Sequence, residues 1–153
     1  MTLAEALRGV TRIGVDSSAF IDYSTAAPRS IRTLTRVVER LSAGALEGVT
    51  TVLTLTEVLT YARVSGKADA EQRKAEEDFE ALLGAVRIVA VTEAIARRAV
   101  DLRTRYRLAT PDAVQLGTAL EAGCQAFLTS DAGDFLRVAG EIRVIVPAKL
   151  TDG

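Results

Sequence analysis

The chain has 153 residues, 48% of them hydrophobic and 25% charged, with a formal net charge of −1. That is the profile of a single globular domain able to bury its own core, and it excludes both a disordered segment and a globally basic nucleic-acid binder. Histidine is absent and Cys124 is the only cysteine, which excludes Ser-His-Asp and Cys-His catalysis, cysteine- or histidine-ligated zinc and any internal disulfide within one chain.

In chain order, Met1 to Gly9 reads as a short extension, residues 1–10 in all, with a small helix capped by Thr2. It lacks the long apolar block of a signal peptide, and no apolar run elsewhere approaches the roughly 20 residues of a membrane span, so a cytoplasmic protein with no membrane partner is expected. Arg12 to Asp16 predicts a short buried strand ending in an acid. From Pro28 to Ala43, Ile31, Leu34, Val38 and Leu41 recur at helical spacing, with Pro28 suited to the first turn. Gly48 to Leu53, rich in Val and Thr, predicts the second strand. Thr54 to Val64 predicts a helix, Gly66 a break, and Ala70 to Leu83 a charged helix burying Phe79, Leu82 and Leu83; the polar stretch Ser65 to Ala70 between them is expected to be mobile.

Val86 to Val91 reads as a third strand, followed by a helix with Thr92 as N-cap and Ile95, Ala99, Leu102 and Tyr106 in register. Thr110-Pro111 opens the next helix, which carries Ala113, Leu116 and Leu120 and stops at Gly123. Gln125 to Thr129 is the fourth strand, Ala132 to Val138 a short helix, and Glu141 to Val146 the fifth strand. Strands alternating with helices over the whole chain imply one α/β domain, a three-layer sandwich around a mostly parallel sheet of about five strands.

In such a sheet, ligands bind at the carboxyl ends of the strands. Asp16, Glu57, Asp131 and Asp134 fall there, and Asp112 lies in the first turn of a helix able to face the same edge. Converging carboxylates repel one another and are costly without a cation, for which Mg²⁺ or Mn²⁺ with oxygen ligands is the natural partner. Each acid also has a structural reading. Thr54 to Glu57 matches a capping box with Glu57 solvated, Asp112 complements a helix dipole, and Asp131 suits an N-cap. Arg29, Arg32, Arg36 and Arg40 form one helical face, either solvated or a contact for phosphate or an acidic partner. The basic run Arg97 to Arg107 poses the same choice, and Tyr23 and Tyr61 read as edge-of-core residues or base-stacking platforms.

Four segments together resemble the PIN-domain family, especially its VapC-type toxins: Val15-Asp16-Ser17-Ser18-Ala19-Phe20-Ile21, Thr54-Leu55-Thr56-Glu57-Val58, Thr110 to Leu120 around Asp112-Ala113, and Phe127 to Phe135 ending in Asp134-Phe135. The first is similar to that family's opening strand. The resemblance runs from Ile13 to Val146 and implies a Mg²⁺- or Mn²⁺-dependent endoribonuclease. It implies Asp16, Asp112 and Asp131 as metal ligands and catalytic acids, Glu57 as a direct or water-mediated ligand, and Asp134 as either a further ligand or a brace for its loop. Ser18 and Thr129 match positions that orient the acids or bound water. A homodimer and neutralisation by a VapB-type antitoxin are further implications. Two alternatives stand beside it: a PIN-fold RNA-processing or catalytically silent binding module, and a receiver-type signalling domain. The latter requires a phosphoacceptor Asp after the third strand, where here Val91 runs into Thr92-Glu93 with no Asp.

Overall fold

In a computed structural model describing residues 1–65 and 68–151, thirteen α and β elements follow one another in the order α1 (Leu3–Ala6), β1 (Arg12–Val15), α2 (Ser17–Ser24), α3 (Ile31–Ser42), β2 (Glu47–Thr51), α4 (Val52–Val64), α5 (Asp69–Leu83), β3 (Arg87–Val89), α6 (Glu93–Tyr106), α7 (Thr110–Glu121), β4 (Ala126–Leu128), α8 (Ala132–Phe135) and β5 (Arg143–Ile145). The five strands form one sheet in the order β3-β2-β1-β4-β5, and every neighbouring pair is parallel. This is the three-layer α/β sandwich expected. The order also separates the chain from receiver-type domains, whose strands run 2-1-3-4-5.

Side chains of the central strands alternate between two apolar layers, as the two-residue period of a strand requires. Ile13, Val15, Ala126 and Leu128 enter a cluster with Phe20, Leu34, Val37, Val58 and Phe79, whereas Phe127 and Val49 enter the opposite one with Ile95, Leu102, Leu116 and Phe135. Gly14 faces the second layer because α7 lies almost on the backbone there; a Cβ on it would stand 2.5 Å from Ala119 Cβ. The amino-terminal helix is closed by a complete capping box between Thr2 and Glu5, and Leu3, Ala6 and Leu7 are buried in the first layer.

Several boundaries differ from the sequence reading. The segment Ser17 to Ile21, read as a continuation of the first strand, is the start of helix α2. Helix α3 begins at Ile31, so Pro28 and Arg29 lie in the preceding turn, where Ala26 takes a left-handed φ of 52°. The buried stripe of α3 is Thr33, Leu34, Val37 and Leu41; Ile31 and Val38 are only half-buried. Strand β2 stops at Thr51, and α4 starts at Val52 with Thr51 as N-cap, so the Thr54 capping box does not exist. The short helix after β4 ends at Phe135 and continues as a 3₁₀ turn over Leu136–Val138. The expected break at Gly66 lies outside the described residues, as does part of the Ser65 to Ala70 stretch. Tyr61 packs edge-on against Phe79, with ring centroids 6.5 Å apart, and Tyr23 is half-buried against the same layer. Among the described residues no helix is long and apolar enough to cross a membrane.

Candidate active site

The chain builds β1, β2 and β3 outward on one side, then places β4 and β5 on the other. The carboxyl ends of β1 and β4 therefore flank the point where the winding reverses, the usual ligand position in an open parallel sheet. Asp16 follows β1 directly, and Thr129, Ser130 and Asp131 follow β4. The Asp16 N–H donates to the Leu128 carbonyl at 2.9 Å, so the last bond of the ladder fixes the acid's backbone.

Asp16 occupies the N-cap position of α2, yet its side chain caps nothing. The carboxylate turns instead toward two hydroxyls, and Oδ2 accepts from Ser18 Oγ at 2.5 Å and Thr129 Oγ1 at 2.8 Å. Those hydroxyls are themselves held from behind: Ser18 Oγ accepts the Ser130 N–H and Thr129 Oγ1 accepts the Asp131 N–H, each at 3.0 Å. Each hydroxyl has one proton, already committed to Asp16, so the 3.2 Å approach between the two oxygens is a contact of acceptors. Asp16 is 3% exposed. Burial raises its pKa above the ordinary carboxylate range against the hydroxyl and backbone hydrogen bonds that lower it, and nearby Asp131 adds to the rise.

Glu57 is half-buried on α4, contrary to a solvated residue. Its carboxylate accepts from Ser17 Oγ at 3.1 Å and from Gln115 Nε2. The carbonyl of Gln115 accepts the Ser17 N–H at 3.1 Å, so this one buried amide ties together the start of α2, α4 and α7. Burial raises the Glu57 pKa and the charge of Asp16 adds to it, against hydrogen bonds from Ser17 and Gln115 that lower it.

Asp112 lies in the first turn of α7 and is partly buried. Burial, followed by the charges of Asp16, Asp131, Asp134 and Glu57, pushes its carboxyl up to about 6. All five acids thus act within one field. Asp131 accepts the Asp134 N–H at 3.2 Å and so caps α8, while Asp134 pairs with Arg137 at 2.6 Å. Arg137 also donates to the Tyr106 carbonyl at 2.7 Å, which makes Asp134 part of a brace between the loop and the end of α6. Among the described residues neither Lys nor Arg pairs with Asp16, Glu57, Asp112 or Asp131. Nor, among them, do three acidic side chains enclose a metal position directly.

The expected acids therefore meet at one sheet edge, but as a loose group. The arginine face does not join them. Arg32, Arg36 and Arg40 are exposed on α3, Arg29 is off the helix, and among the described residues the hydrogen bonds that hold the acids come from other segments. Four participants were not among the candidate site residues of the sequence reading: Ser17, Gln115, Ser130 and Arg137. Gln115 carried a signal, being a polar side chain amid Ala113, Val114, Leu116 and Ala119, three residues from Asp112 and hence on its face. Cys124 is buried and its thiol is pushed up to about 11, chiefly by burial, consistent with a small apolar filler.

A profile of the PIN domain matches residues 13–141. No curated protein matches the chain in sequence. Among solved structures, a toxin–antitoxin complex from Klebsiella pneumoniae is similar at 24% identity with a TM-score of 0.65, covering 89% of this chain and 97% of that one. VapBC2 from Rickettsia felis, bound to a DNA fragment from its promoter, aligns at 13% identity and a TM-score of 0.70 over 88% of this chain and 98% of its own. DNA-bound VapBC from Salmonella typhimurium aligns at 19% identity and 0.67, over 90% and 98% respectively.

Proposed function

The chain belongs to the PIN-domain family, whose members are in general nucleases, and from that premise we propose that it is a divalent-metal-dependent endoribonuclease acting as the toxin of a VapBC-type pair. The observation that carries the proposal is a set of acids from four separate elements acting on one another at the sheet's switch point, with four of them left unpaired by any cation among the described residues. A fold tolerates such repulsion at a cost, and a bound cation removes it.

The donor set fits a hard divalent ion. It is built from carboxylate and hydroxyl oxygens alone, and Ser130 Oγ, in the loop between Thr129 and Asp131, is a buried oxygen with no hydrogen-bond partner among the described residues. A loose group suits Mg²⁺ or Mn²⁺, because Mg²⁺ keeps several waters and takes one or two carboxylates directly. Asp16, Asp112 and Asp131 are assigned as the holders of the ion, and Glu57 as a ligand directly or through water. When bound, the ion neutralises the acids and polarises the phosphodiester and the attacking water. Ser18 and Thr129 keep Asp16 in one rotamer, Gln115 and Ser17 do the same for Glu57, and the Arg137 pair holds Asp134 as a brace for the loop. Restraints of this kind allow the acids to act without reorganising during the reaction.

Several similar structures are toxin–antitoxin or VapBC assemblies. By analogy, a VapB-type antitoxin would cover the acids, and the active form would be a cytoplasmic homodimer. The test is cleavage of single-stranded and structured RNA by the purified chain. Cutting is expected with Mg²⁺ or Mn²⁺, none in EDTA, and none by folded Asp16→Asn or Asp112→Asn. Retained cutting by both variants rejects the site. Absence of cutting by the wild-type chain with either metal rejects the ribonuclease reading.

A further inference from the structure

The basic run Arg97 to Arg107 resolves into engaged and unengaged members. Arg97 pairs with Glu93 at 2.8 Å, Arg98 with Glu121 at 2.9 Å and Arg105 with Glu141 at 2.7 Å. Arg103 Nε donates to the Leu108 carbonyl at 3.3 Å. Arg107 is exposed, and its guanidinium has neither an ion pair nor a hydrogen bond among the described residues.

Arg107 is also conformationally unusual. It closes α6 in the left-handed region, at φ 56° and ψ 38°. Helices end this way most cheaply on glycine, because any Cβ is penalised there. An arginine at such a cap forgoes stability that a glycine would supply, and the cap gains nothing from its side chain.

Its position is at the end of α6 that adjoins the start of α7. Helices α6 and α7 run antiparallel, since Arg98 near the start of α6 meets Glu121 at the end of α7. The end of α6 therefore lies beside the start of α7, which carries Asp112. The carbonyl of Tyr106, one residue before Arg107, is held by the same Arg137 that holds Asp134. Arg107 further lines an open hollow of about 470 Å³ with Val100, Arg103, Thr104 and Leu108.

A polyanion approaching five carboxylates is repelled by them, and an unpaired cation at the rim offsets that repulsion. We propose that Arg107 is a phosphate-binding residue, holding a backbone phosphate of the RNA strand beside the acid cluster. The inference rests on the ribonuclease reading above. It assigns the strand's path past the carboxyl end of α6 and leaves the α3 arginines out of it.

The discriminating variant is Arg107→Gly, which removes the charge while suiting the cap. With a fluorescent single-stranded RNA oligonucleotide and the metal-loaded enzyme, KM should rise about five- to tenfold at about 100 mM salt, with kcat within about twofold. The slope of log affinity against log salt should fall in magnitude by about 0.7, the value for one phosphate contact on a single strand. The thermal midpoint should equal or exceed that of the wild type, and Arg107→Lys should keep the wild-type salt slope. A merely structural role would instead lower the midpoint and kcat together. Unchanged KM and slope in an enzyme that cuts RNA would overturn the proposal, and so would an Arg107→Gly chain that fails to fold. Binding of the same oligonucleotide in EDTA, read by anisotropy, separates the two readings. Arg107-dependent affinity without any cutting by the wild type rejects the nuclease and keeps the phosphate site; affinity indifferent to Arg107 rejects the site.

Discussion

Replacing Asp112 by asparagine removes one carboxylate from the acid cluster with almost no change in volume, so its consequence for stability reports the cost of holding a charge there, from burial first and from the neighbouring acids second. Burial and four neighbouring acids raise this carboxyl from the ordinary 3.8 to about 6. At about 1.4 kcal/mol per pH unit that shift corresponds to about 3 kcal/mol. The group is partly solvent-exposed and screened, which brings the usable figure down to roughly 1 kcal/mol. Between pH 3.8 and about 6 the folded chain holds a proton that the unfolded chain has released, so unfolding free energy falls as pH rises through that window and is level above it. In EDTA at about pH 7.5, Asp112→Asn should therefore be more stable than the wild type by roughly 1 kcal/mol, or about 2–4 °C. The advantage should vanish near about pH 4, where the wild-type carboxyl is protonated in the folded state. Adding Mn²⁺ should reverse the order, because ligand at about a hundred times its Kd stabilises the wild type by about 2.7 kcal/mol and the variant by less. Urea titrations at several pH values, with and without metal, measure each quantity. An Asp112→Asn chain less stable than wild type in EDTA, or a gain indifferent to pH, would refute the argument that a charged carboxylate is costly at this position.

Gln115→Leu keeps the volume but leaves the Ser17 N–H without its acceptor and Glu57 with Ser17 Oγ as its one remaining donor among the described residues. A loss of about 1–3 kcal/mol in denaturation is expected, together with a fall in kcat of about tenfold; an unchanged kcat would show that the placement of Glu57 is immaterial. Thr129→Val deletes one of the two hydroxyl donors to Asp16 Oδ2 and the acceptor of the Asp131 N–H. It should cost about 1–3 kcal/mol and most of the cleavage, whereas Thr129→Ser, which keeps the hydroxyl, should retain both. Gly14→Ala sets a methyl 2.5 Å from Ala119 Cβ and 2.9 Å from Phe127 Cδ2. It should destabilise by about 1–3 kcal/mol, and Ala119→Gly in the same chain should restore part of that loss.

Local signals carried much of the fold. Thr92 caps α6 through the Ile95 N–H, Gly123 takes a positive φ after α7, and Phe79, Leu82 and Leu83 are the buried stripe of α5, each as its spacing implied. The errors arose where two local patterns compete. Val52 extends the β-branched run of β2 and Leu53 its apolar character, yet pairing with β3 ends at Thr51 and Val89, and the chain turns into a helix there. Helix α2 is short, and its buried residues Ser17, Ala19 and Phe20 display no clear apolar repeat. Pro28 suited a first helical turn in isolation, but a left-handed Ala26 places it in a turn of its own.

Residue chemistry and periodicity alone determined that this is an α/β chain without histidine whose acids follow its apolar runs. Strand order decided the rest. The opposed placement of β2 and β4 around β1 brings residues dozens of positions apart, such as Ser18 with Thr129 and Glu57 with Gln115, within hydrogen-bond reach. Periodicity reports which face a side chain takes within its own element. Which elements become neighbours depends on burying both faces of the sheet at once, a property of the whole chain that only the tertiary structure expresses.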